Sequence, residues 1–388
     1  MEPGGPATRL PVGVVLGTRP EVVKLAPVVA ALRRSPTLRP VVISTGQQLD
    51  LLPGALAELG VEVDVTLPVR RTEHLADRVA AMLQATADLL ATLELAAVVV
   101  QGDTATSLAA AQAAFYRRVP VVHVEAGLRT GSPREPFPEE ANRRMIAVLA
   151  ALHLAPTEDA RANLLAEGHD PTTVRVTGNT VVDALLGRAS GPLADPRLAR
   201  VVAGDRKVVV LTMHRRESWG EPMRAVAEVV AKVLERRGDS TVVVPAHPNP
   251  VVLEALAPLV ASPHALVVEP LPHGPFLRLL AAATVVLTDS GGVQEEAPTL
   301  GVPVLVLRAV TERPEGVRSG AATVVGTDPG EVAAALEAAL DRPRRTTGPN
   351  PYGDGHAAQR CVDAIAGLLG VADPQPSRAS SAGATTLR

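Results

Sequence analysis

Short runs of consecutive apolar residues recur along this chain and limit its fold more than any other feature. In the first half they lie at residues 12–16, 41–44, 97–100, 119–124 and 152–155, with the segment at 174–178 closing that half. In the second half they lie at 208–212, 241–246, 265–269, 284–288, 304–307 and 323–325. The runs are continuously apolar rather than alternating, which is typical of parallel strands covered on both faces. With helical stretches between them, they predict an α/β fold of two doubly wound parallel-sheet halves, with ligands in the cleft at the strand C-termini.

The length of the chain favours two domains over one. A chain of 388 residues is too long for one ordinary core, and 46% hydrophobic residues with a mean hydropathy of +0.18 provide apolar material for two sheets. Residues 187–205 mix Gly, Pro, Ala and Arg and are predicted to form a linker region. The tail at residues 371–388 has a composition typical of disorder.

Composition argues against several classes of partner and cofactor. Aromatic residues make up 2% of the chain and its net charge is −3, so no nucleic-acid partner is predicted. Without a signal peptide or a run of membrane-spanning length, no membrane partner is predicted either. The single cysteine, Cys361, suits a reducing compartment, and we expect a cytoplasmic protein. No Gly-x-Gly-x-x-Gly motif follows the first strand and no histidine has metal-ligand spacing, so neither a nicotinamide cofactor nor a metal is predicted.

The sequence TDSGGVQEE at residues 288–296 follows one of the apolar runs and precedes a helical spacing. That order places Ser290, Gly291 and Gly292 at a helix N-terminus, where free backbone N–H groups and the positive dipole end bind anions. Glu295 and Glu296 then fall within about the first turn, placed to accept hydrogen bonds from ribose hydroxyls. The alternative is a capped helix whose early acids only complement the dipole.

The sequence GTRPE at residues 17–21 repeats the order of strand, turn and helix near the start of the chain. Pro20 suits the first helical position, and residues 22–32 are predicted to carry the helix. Arg19 lies in the turn, where its guanidinium would suit bidentate contact with phosphate oxygens.

Acids and histidines also follow other predicted strands. They are Asp103, Glu125, His214 and His247, together with Glu139 and Glu140 in a loop bounded by prolines. Taken singly, each is more often a helix cap or a loop charge. Their shared position at the mouth of both sheets favours an active site in the cleft.

Nine motifs in matching order carry a resemblance to a known family. They are GTRPE (17–21), GDT (102–104), HVEAGLRTG (123–131), PFPEEANR (136–143), TGNTVVDAL (177–185), HRRESWGEPM (214–223), TDSGGVQEEAPTLG (288–301), TERPEGV (311–317) and NPYGDG (350–355). From about residue 12 to about residue 369, the chain resembles the non-hydrolysing bacterial UDP-N-acetylglucosamine 2-epimerases. The resemblance implies a GT-B-type fold of two Rossmann-like domains with a cleft between them, a homodimer, and a UDP-sugar substrate. It further implies that UDP-GlcNAc and UDP-ManNAc are interconverted without NAD, by elimination of UDP to 2-acetamidoglucal and re-addition.

The resemblance also implies roles for individual residues and bounds for the domains. The family's catalytic set falls on Asp103, Glu125, Glu139 and His214. Its substrate and UDP contacts fall on Arg19, Lys24, His214, Ser290, Gly291, Gly292, Glu296 and Arg313, with Phe276 near the uracil. The N-terminal domain would comprise residues 1–186 joined by the C-terminal helix at 356–370, and the UDP-binding domain residues 187–355.

One segment departs from the family. Many members carry Gln-His-Arg after the second strand, in a second site where UDP-GlcNAc acts as an allosteric activator, whereas this chain has QQLD at residues 47–50. Gln47, Arg215 and His247 are retained as possible allosteric residues. Because cationic donors are lost and Asp50 adds a negative charge where an anion would bind, we expect weak or absent activation.

Four other functions are also considered. They are a hydrolysing 2-epimerase that releases ManNAc and UDP, an epimerase of a related UDP-sugar, a GT-B glycosyltransferase, and a catalytically silent sensor of nucleotide sugars. A glycosyltransferase would not need the acids at Asp103, Glu125 and Glu139. The presence of these acids and of His214 also disfavours a silent sensor.

Overall fold

The two predicted halves are two parallel β-sheets in the computed structural model, which describes residues 9–47, 52–69, 72, 74–186, 193, 195–213, 218–342 and 350–371. The first sheet contains β1 (Leu10–Leu16), β2 (Leu38–Ser44), β3 (Val65–Thr66), β4 (Ala97–Gln101), β5 (Val121–Val124), β6 (Leu152–Ala155) and β7 (Val174–Val176). The second contains β8 (Lys207–Thr212), β9 (Ser240–Pro245), β10 (Ala265–Val268), β11 (Val285–Thr288), β12 (Val304–Val306) and β13 (Ala322–Val324).

Helices connect the strands and cover both faces of each sheet. The first domain carries α1 (Arg19–Arg34), α2 (Leu52–Leu59), α3 (Leu75–Thr92), α4 (Ala105–Tyr116), α5 (Glu139–Leu149), α6 (Glu158–Ala166) and α7 (Thr180–Leu185). Next come α8 (Pro196–Ala203), α9 (Glu221–Arg237), α10 (Pro250–Ala255), α11 (Ala257–Val260), α12 (His273–Ala282), α13 (Val293–Thr299), α14 (Pro314–Arg318), α15 (Pro329–Asp341) and α16 (Ala357–Leu368). A short 3-10 helix at Pro171–Thr173 precedes β7.

The order of the strands confirms the predicted fold class. Within the described ranges the first sheet runs β3-β2-β1-β4-β5-β6-β7 and the second runs β10-β9-β8-β11-β12-β13. All of the strand pairs in these two sheets are parallel. Each order reverses direction next to its first strand, which is the doubly wound pattern that places a ligand crevice at the C-terminal ends of the strands.

The central strands are buried along their whole length, which explains their continuous apolar sequence. All five residues of β4 and all four residues of β11 are buried. Helices lie against both faces of each sheet. A polar side chain on either face would therefore lose its contact with water, which costs free energy unless it finds a hydrogen-bond partner. In the described part of the chain, no helix is both long enough and apolar enough to cross a membrane.

The last helix packs on the first domain. In α16, Cys361 and Ile365 are fully buried in a core shared with Leu25 of α1. The carboxylate of Asp183, on α7, accepts hydrogen bonds from the first backbone N–H groups of this helix, at 3.1 Å from Ala357 N and 2.8 Å from Ala358 N. Burial raises the pKa of the Cys361 thiol to about 12, so this thiol stays protonated at neutral pH.

Four details differ from the sequence predictions. Strand β3 was not predicted, because a two-residue strand with one exposed residue has no apolar run. Helix α1 begins at Arg19, one residue before Pro20, which was predicted to occupy the first helical position, and it extends to Arg34. Glu139 begins helix α5 instead of lying in a loop. Helix α8 lies within the segment predicted as a linker region, where Asp195 caps it and Pro196 occupies its first position.

Candidate active site

Charged side chains from the two domains meet in the cleft between the sheets. Lys24 on α1 and Glu125 directly after β5 belong to the first domain, whereas Glu295 on α13 and Arg313 just before α14 belong to the second. All four residues are at most 9% exposed. We call these four residues the cleft charge cluster.

Each of the two cations in the cleft charge cluster lies near both carboxylates of the cluster. Lys24 Nζ lies 2.5 Å from Glu125 Oε1 and 2.8 Å from Glu295 Oε2. Arg313 Nε lies 2.6 Å from Glu295 Oε1, and its Nη2 is 3.9 Å from Glu125 Oε1. Removal of one partner from a buried ion pair typically costs about 3–5 kcal/mol, because the other charge is left uncompensated. The four side chains therefore hold one another in place across the cleft.

Glu125 occupies an unusual backbone conformation. Its φ is +62°, in the left-handed region that residues other than glycine rarely adopt. Gln101, the last residue of β4, donates a hydrogen bond from Nε2 to Glu125 Oε2. Strain of this kind often marks a functional site, and the carboxylate of this strained residue accepts a hydrogen bond from Lys24.

The two carboxylates of the cleft charge cluster differ in acidity. Burial raises the pKa of Glu125; Lys24 opposes the rise, and the nearby Glu295 adds to it. Burial also acts to raise the pKa of Glu295, but the attraction of Arg313 and Lys24 outweighs it and leaves that pKa below its usual value. Glu295 therefore remains ionised, and Glu125 is the carboxyl group that accepts a proton more readily.

Asp103 and Glu139 both belong to the first domain and are related through α5, because Asp103 contacts this helix and Glu139 is its first residue. Asp103 follows β4, and its Oδ2 lies 2.6 Å from Arg143 Nη2. Its backbone carbonyl accepts a hydrogen bond of 2.8 Å from Asn142 Nδ2. Both partners are on α5, whose first residue is the half-buried Glu139. Glu139 and Glu140 occupy the first helical turn after Pro138, where acids complement the helix dipole.

The turn between β11 and α13 faces Arg313. Ser290 N donates to Thr288 Oγ1 at 3.0 Å, and α13 begins at Val293 with Gly292 as its N-cap. A Cβ atom at Gly291 would lie 2.7 Å from Arg313 Nη1, so the absence of a side chain lets the guanidinium pack on the turn. A Cβ atom at Gly292 would come no closer than 3.9 Å to Ser290 Oγ, which is an ordinary contact.

The predicted ribose and uracil residues lie on two adjacent helices. Glu296 on α13 is 9% exposed, and its Oε1 lies 3.3 Å from His273 Nε2 at the start of α12. Phe276 lies one turn further along α12 and is partly buried against the core. Both Glu295 and Glu296 were predicted to contact the ribose, but Glu295 instead pairs with Lys24 and Arg313.

The other predicted residues divide into those that the structure describes and those that it does not. Arg19 is the half-buried first residue of α1. Gln47 Oε1 accepts a hydrogen bond of 2.6 Å from Thr106 Oγ1. His247 is exposed, and its ring centroid lies 6.0 Å from that of Trp219, which packs on the core of the second domain. The predicted residues outside the described ranges are His214, Arg215, Gln48, Leu49 and Asp50.

Two contributors to this site were not identified from the sequence, and a third was assigned another role. Gln101 binds Glu125 and Arg143 binds Asp103, whereas Glu295, predicted at the ribose, completes the cleft charge cluster. A signal existed for Arg143, because it is four residues after Glu139 and therefore lies one helical turn further along α5. Glu295 could not be distinguished from its neighbour Glu296 without knowing the rotation of α13 about its axis.

The arrangement can bind an anion and exchange a proton within one cleft. The second domain supplies glycine backbone and a guanidinium, which suit a diphosphate. The first domain supplies carboxylates, one of which has a raised pKa. Among the described residues, no group of three or more His, Cys, Asp or Glu is arranged to hold a metal ion.

Comparison with known proteins identifies the family. A family model described as UDP-N-acetylglucosamine 2-epimerase matches residues 30–366. The chain belongs to this family. The UDP-N-acetylglucosamine 2-epimerase of Bacillus subtilis (strain 168) is 40% identical over 374 residues, which cover 95% of this chain and 98% of that protein.

Solved structures of UDP-N-acetylglucosamine 2-epimerases and related complexes share the fold. The S. aureus MnaA–UDP structure has a TM-score of 0.88 and 37% identity, and the match covers 95% of this chain and 99% of that one. The Neisseria meningitidis UDP-GlcNAc 2-epimerase bound to UDP-GlcNAc has a TM-score of 0.85 and 36% identity, covering 92% and 99% of the two chains. These matches confirm the family resemblance and the GT-B-type fold, and they make the chain an epimerase.

Proposed function

We propose that this epimerase interconverts UDP-GlcNAc and UDP-ManNAc without net hydrolysis, by eliminating UDP and adding it back. The observation that carries the proposal is the cleft charge cluster. In it Lys24 pairs with Glu125 of the first domain and with Glu295 of the second, so a carboxyl group suited to proton exchange lies in the same cleft as the predicted anion site. The structures of relatives with UDP and with UDP-GlcNAc support a UDP-sugar as the substrate of this chain as well.

Elimination solves a chemical difficulty at C2 of the sugar. The C2 proton is not adjacent to a carbonyl group, so its direct removal is very difficult. When the C1–O bond breaks, its electron pair leaves with UDP, and the positive charge at C1 acidifies C2–H. A carboxylate then takes the proton, the C–H electron pair forms the C1=C2 double bond, and 2-acetamidoglucal results. Return of a proton to the other face of C2 and of the UDP oxygen to C1 completes the epimerisation with no net oxidation or reduction.

Inversion at C2 requires proton transfer on both faces of the ring, so at least two acid or base groups must take part. We assign this work to the set Asp103, Glu125, Glu139 and His214. The raised pKa of Glu125 supports a role in proton exchange, because a catalytic group works best when its pKa is near the working pH.

The leaving UDP requires stabilisation of its negative charge. We assign the diphosphate to Arg19, Lys24, Arg313 and the turn at Ser290, Gly291 and Gly292, with Glu296 at the ribose and Phe276 near the uracil. In this structure the cations of the cleft charge cluster are paired with carboxylates. A diphosphate in the cleft would present oxygens to cations that are already oriented, which is the most effective form of electrostatic stabilisation.

We also propose that the chain works as two units, residues 1–186 with the helix at 356–370, and residues 187–355. The packing of α16 on α1 supports this division. A homodimer is proposed through the first domain, where Phe115 and Tyr116 at the end of α4 are 50% and 69% exposed. Exposed adjacent aromatic residues are unusual in a chain with 2% aromatics and are enriched at protein interfaces. Light scattering would show a monomer if the dimer is wrong.

The experiment that tests the proposed reaction is turnover of UDP-GlcNAc in heavy water without added NAD, followed by NMR of the products. We expect UDP-ManNAc with deuterium at C2. Conversion without deuterium at C2 would exclude the elimination route. Release of ManNAc and UDP would identify the hydrolysing alternative, and turnover of a different UDP-sugar alone would show a related substrate.

A further inference from the structure

Glu21 is a fully buried carboxylate that the proposed reaction does not use. Five N–H or O–H groups of the described residues surround it, of which the Ser107 hydroxyl has a single proton and also lies 2.6 Å from Gln101 O. Its Oε2 accepts hydrogen bonds from Gly17 N at 2.8 Å, Thr18 N at 2.7 Å and Thr18 Oγ1 at 2.9 Å. Its Oε1 accepts from Thr104 Oγ1 at 2.5 Å and lies 3.0 Å from Ser107 Oγ. Burial raises the pKa of this carboxyl group, and these hydrogen bonds oppose the rise.

These contacts exceed what a helix cap needs. In a capping box, an acid at the third helical position accepts one hydrogen bond from the N-cap backbone. Glu21 makes that contact with Thr18 at the start of α1, but its other oxygen faces Thr104, the N-cap of α4. Since β1 and β4 are neighbours in the sheet, one carboxylate connects the N-termini of the two helices that follow them.

The two connected turns carry two residues of the proposed site. Arg19 is two residues before Glu21, and Asp103 is directly before Thr104. In the proposed reaction, Arg19 contacts the diphosphate and Asp103 the sugar, so the separation of the two turns sets where the leaving group lies relative to the reacting carbon. A change of about 1 Å in such a separation can reduce a rate by about a hundredfold.

We propose that Glu21 is a positioning residue, which fixes the turn of Arg19 against the turn of Asp103 through Thr104 and Ser107. This inference rests on the proposed function, because it assigns Arg19 and Asp103 to one substrate. Glu21 is 0% exposed, so its carboxylate would act on the substrate through these two turns rather than by direct contact.

Substitution can separate this role from a structural one. In E21Q the side chain keeps its size, but an amide N–H₂ replaces one oxygen and meets N–H or O–H donors. In E21D the charge remains, but the chain is one methylene shorter and cannot reach both turns. T104V leaves Glu21 intact and cuts its link to α4, whereas T104S restores the hydroxyl.

Asp183 offers a matched control. Asp183 is half-buried, and like Glu21 it is a carboxylate that accepts two backbone N–H hydrogen bonds at a helix N-terminus, here that of α16. Its hydrogen-bond partners are Ala357 N and Ala358 N of α16, neither of which belongs to the cleft charge cluster. D183N should therefore lower the melting temperature without changing kcat or the Kd of UDP.

The experiment measures kcat, KM, the Kd of UDP by calorimetry, and melting temperature for the wild type, E21Q, E21D, T104V, T104S and D183N. We expect E21Q and E21D to lose roughly tenfold to a hundredfold in kcat, with a change in the Kd of UDP of no more than about fivefold. T104V should show a smaller loss of kcat that T104S reverses.

The proposal is overturned if E21Q has the same kcat as D183N at a similar loss of melting temperature. If E21Q does not fold, the same comparison between T104V and D183N decides. The comparison uses whichever products the wild type forms. Products other than UDP-ManNAc would therefore count against the proposed function, while the ratio of kcat values would still decide the role of Glu21.

Discussion

The turns that follow the strands of the two domains face the same cleft but differ in their chemistry. In the first domain, the turns after β4 and β5 present Asp103 and Glu125, and each acid is fixed by a side chain on another element, Arg143 and Lys24 respectively. In the second domain, the turn after β11 presents glycine backbone on which Arg313 packs. The doubly wound fold determines where a ligand binds, and the turn residues determine which chemistry occurs there.

The contrast suggests a division of labour in which the acids after β4 and β5 exchange protons and the glycine turn after β11, with Arg313, stabilises the leaving group. Substitutions of those acids should then lower kcat, and substitutions in the glycine turn should weaken binding of UDP.

The Glu125→Gln substitution should produce the largest effect. An amide cannot exchange the C2 proton, and loss of general acid or base catalysis typically lowers kcat by about 10²–10⁴-fold. The Kd of UDP should change little, because Arg313 and the glycine turn remain. NMR assays of turnover and calorimetry of UDP would measure the two effects. E337Q, which removes an exposed ion pair with Arg236, is the control.

An equal loss of UDP binding in E125Q would contradict the division between the domains. It would show that Glu125 orders the second domain, through Arg313, as much as it acts on the sugar.

The Gly291→Ala substitution should act on the second domain. A Cβ atom there would lie 2.7 Å from Arg313 Nη1, and Arg313 cannot retreat freely because Glu312 and Glu295 hold it at 2.7 Å and 2.6 Å. Loss of a charge-assisted hydrogen bond is worth about 1.5–3 kcal/mol, or roughly tenfold to a hundredfold in the Kd of UDP.

Gly292→Ala is the comparison for Gly291→Ala, because the nearest atom to its Cβ would be 3.9 Å away. Its effect on the Kd of UDP should be clearly smaller. If calorimetry gives equal losses for the two variants, the guanidinium is not the reason that Gly291 lacks a side chain.

Lowering the pH should reduce the unfolding free energy of the first domain before that of the second. Burial lowers the pKa of His123 to about 3 and that of His153 to about 4, so both stay neutral when folded, whereas an unfolded histidine titrates near 6.5. Their contribution to stability is complete above pH 6.5 and falls as the pH drops toward these values. Each histidine should remove about 1.4 kcal/mol of unfolding free energy per pH unit in that window.

Hydrogen exchange at pH 7 and pH 5.5 would locate this acid effect. Relative to the intrinsic exchange rate at each pH, we expect lower protection at pH 5.5 in β5 and β6, which carry His123 and His153. A similar loss of protection in β8 and β11 of the second domain would contradict the prediction.

The smallest effect is expected from Thr157→Val, in another contact between the domains. Thr157 Oγ1 donates to Glu315 Oε1 at 2.5 Å and accepts from Ala160 N at 3.2 Å, where it caps α6. Loss of the Thr157 hydroxyl should cost about 1–2 kcal/mol of unfolding free energy and leave kcat and the Kd of UDP unchanged. Thr157→Ser keeps the hydroxyl and should restore stability. A change in kcat would show that this contact also sets the geometry of the cleft.

The fold followed from the sequence because the signal for each major strand is local. A buried strand such as β4 needs apolar side chains on both faces, and that need is visible in five consecutive residues. Strand β3 lacks such a run. Helix α8 did carry local signals, an Asp cap at Asp195 and Pro196 in the first position, but the surrounding Gly and Pro residues concealed them.

The composition of the site was predictable, but its pairings were not. The acids and the glycine turn could be found because each follows an apolar run. The contact between Lys24 and Glu125 joins residues 101 positions apart, and it depends on the order in which β1, β4 and β5 lie in the sheet. The choice of Glu295 over Glu296 depends on the rotation of α13, since successive helical residues point about 100° apart.

Trp219 gives the molecule a built-in optical reporter. It is the only tryptophan of the chain, so the indole fluorescence of the whole protein comes from one place. That place is on the second domain, with the imidazole of His247 at a centroid distance of 6.0 Å. A change in the polarity or packing around this ring would shift the colour of its emission without any added dye. Titration of the unmodified protein with UDP, or with either UDP-sugar, would therefore report directly on events at this position.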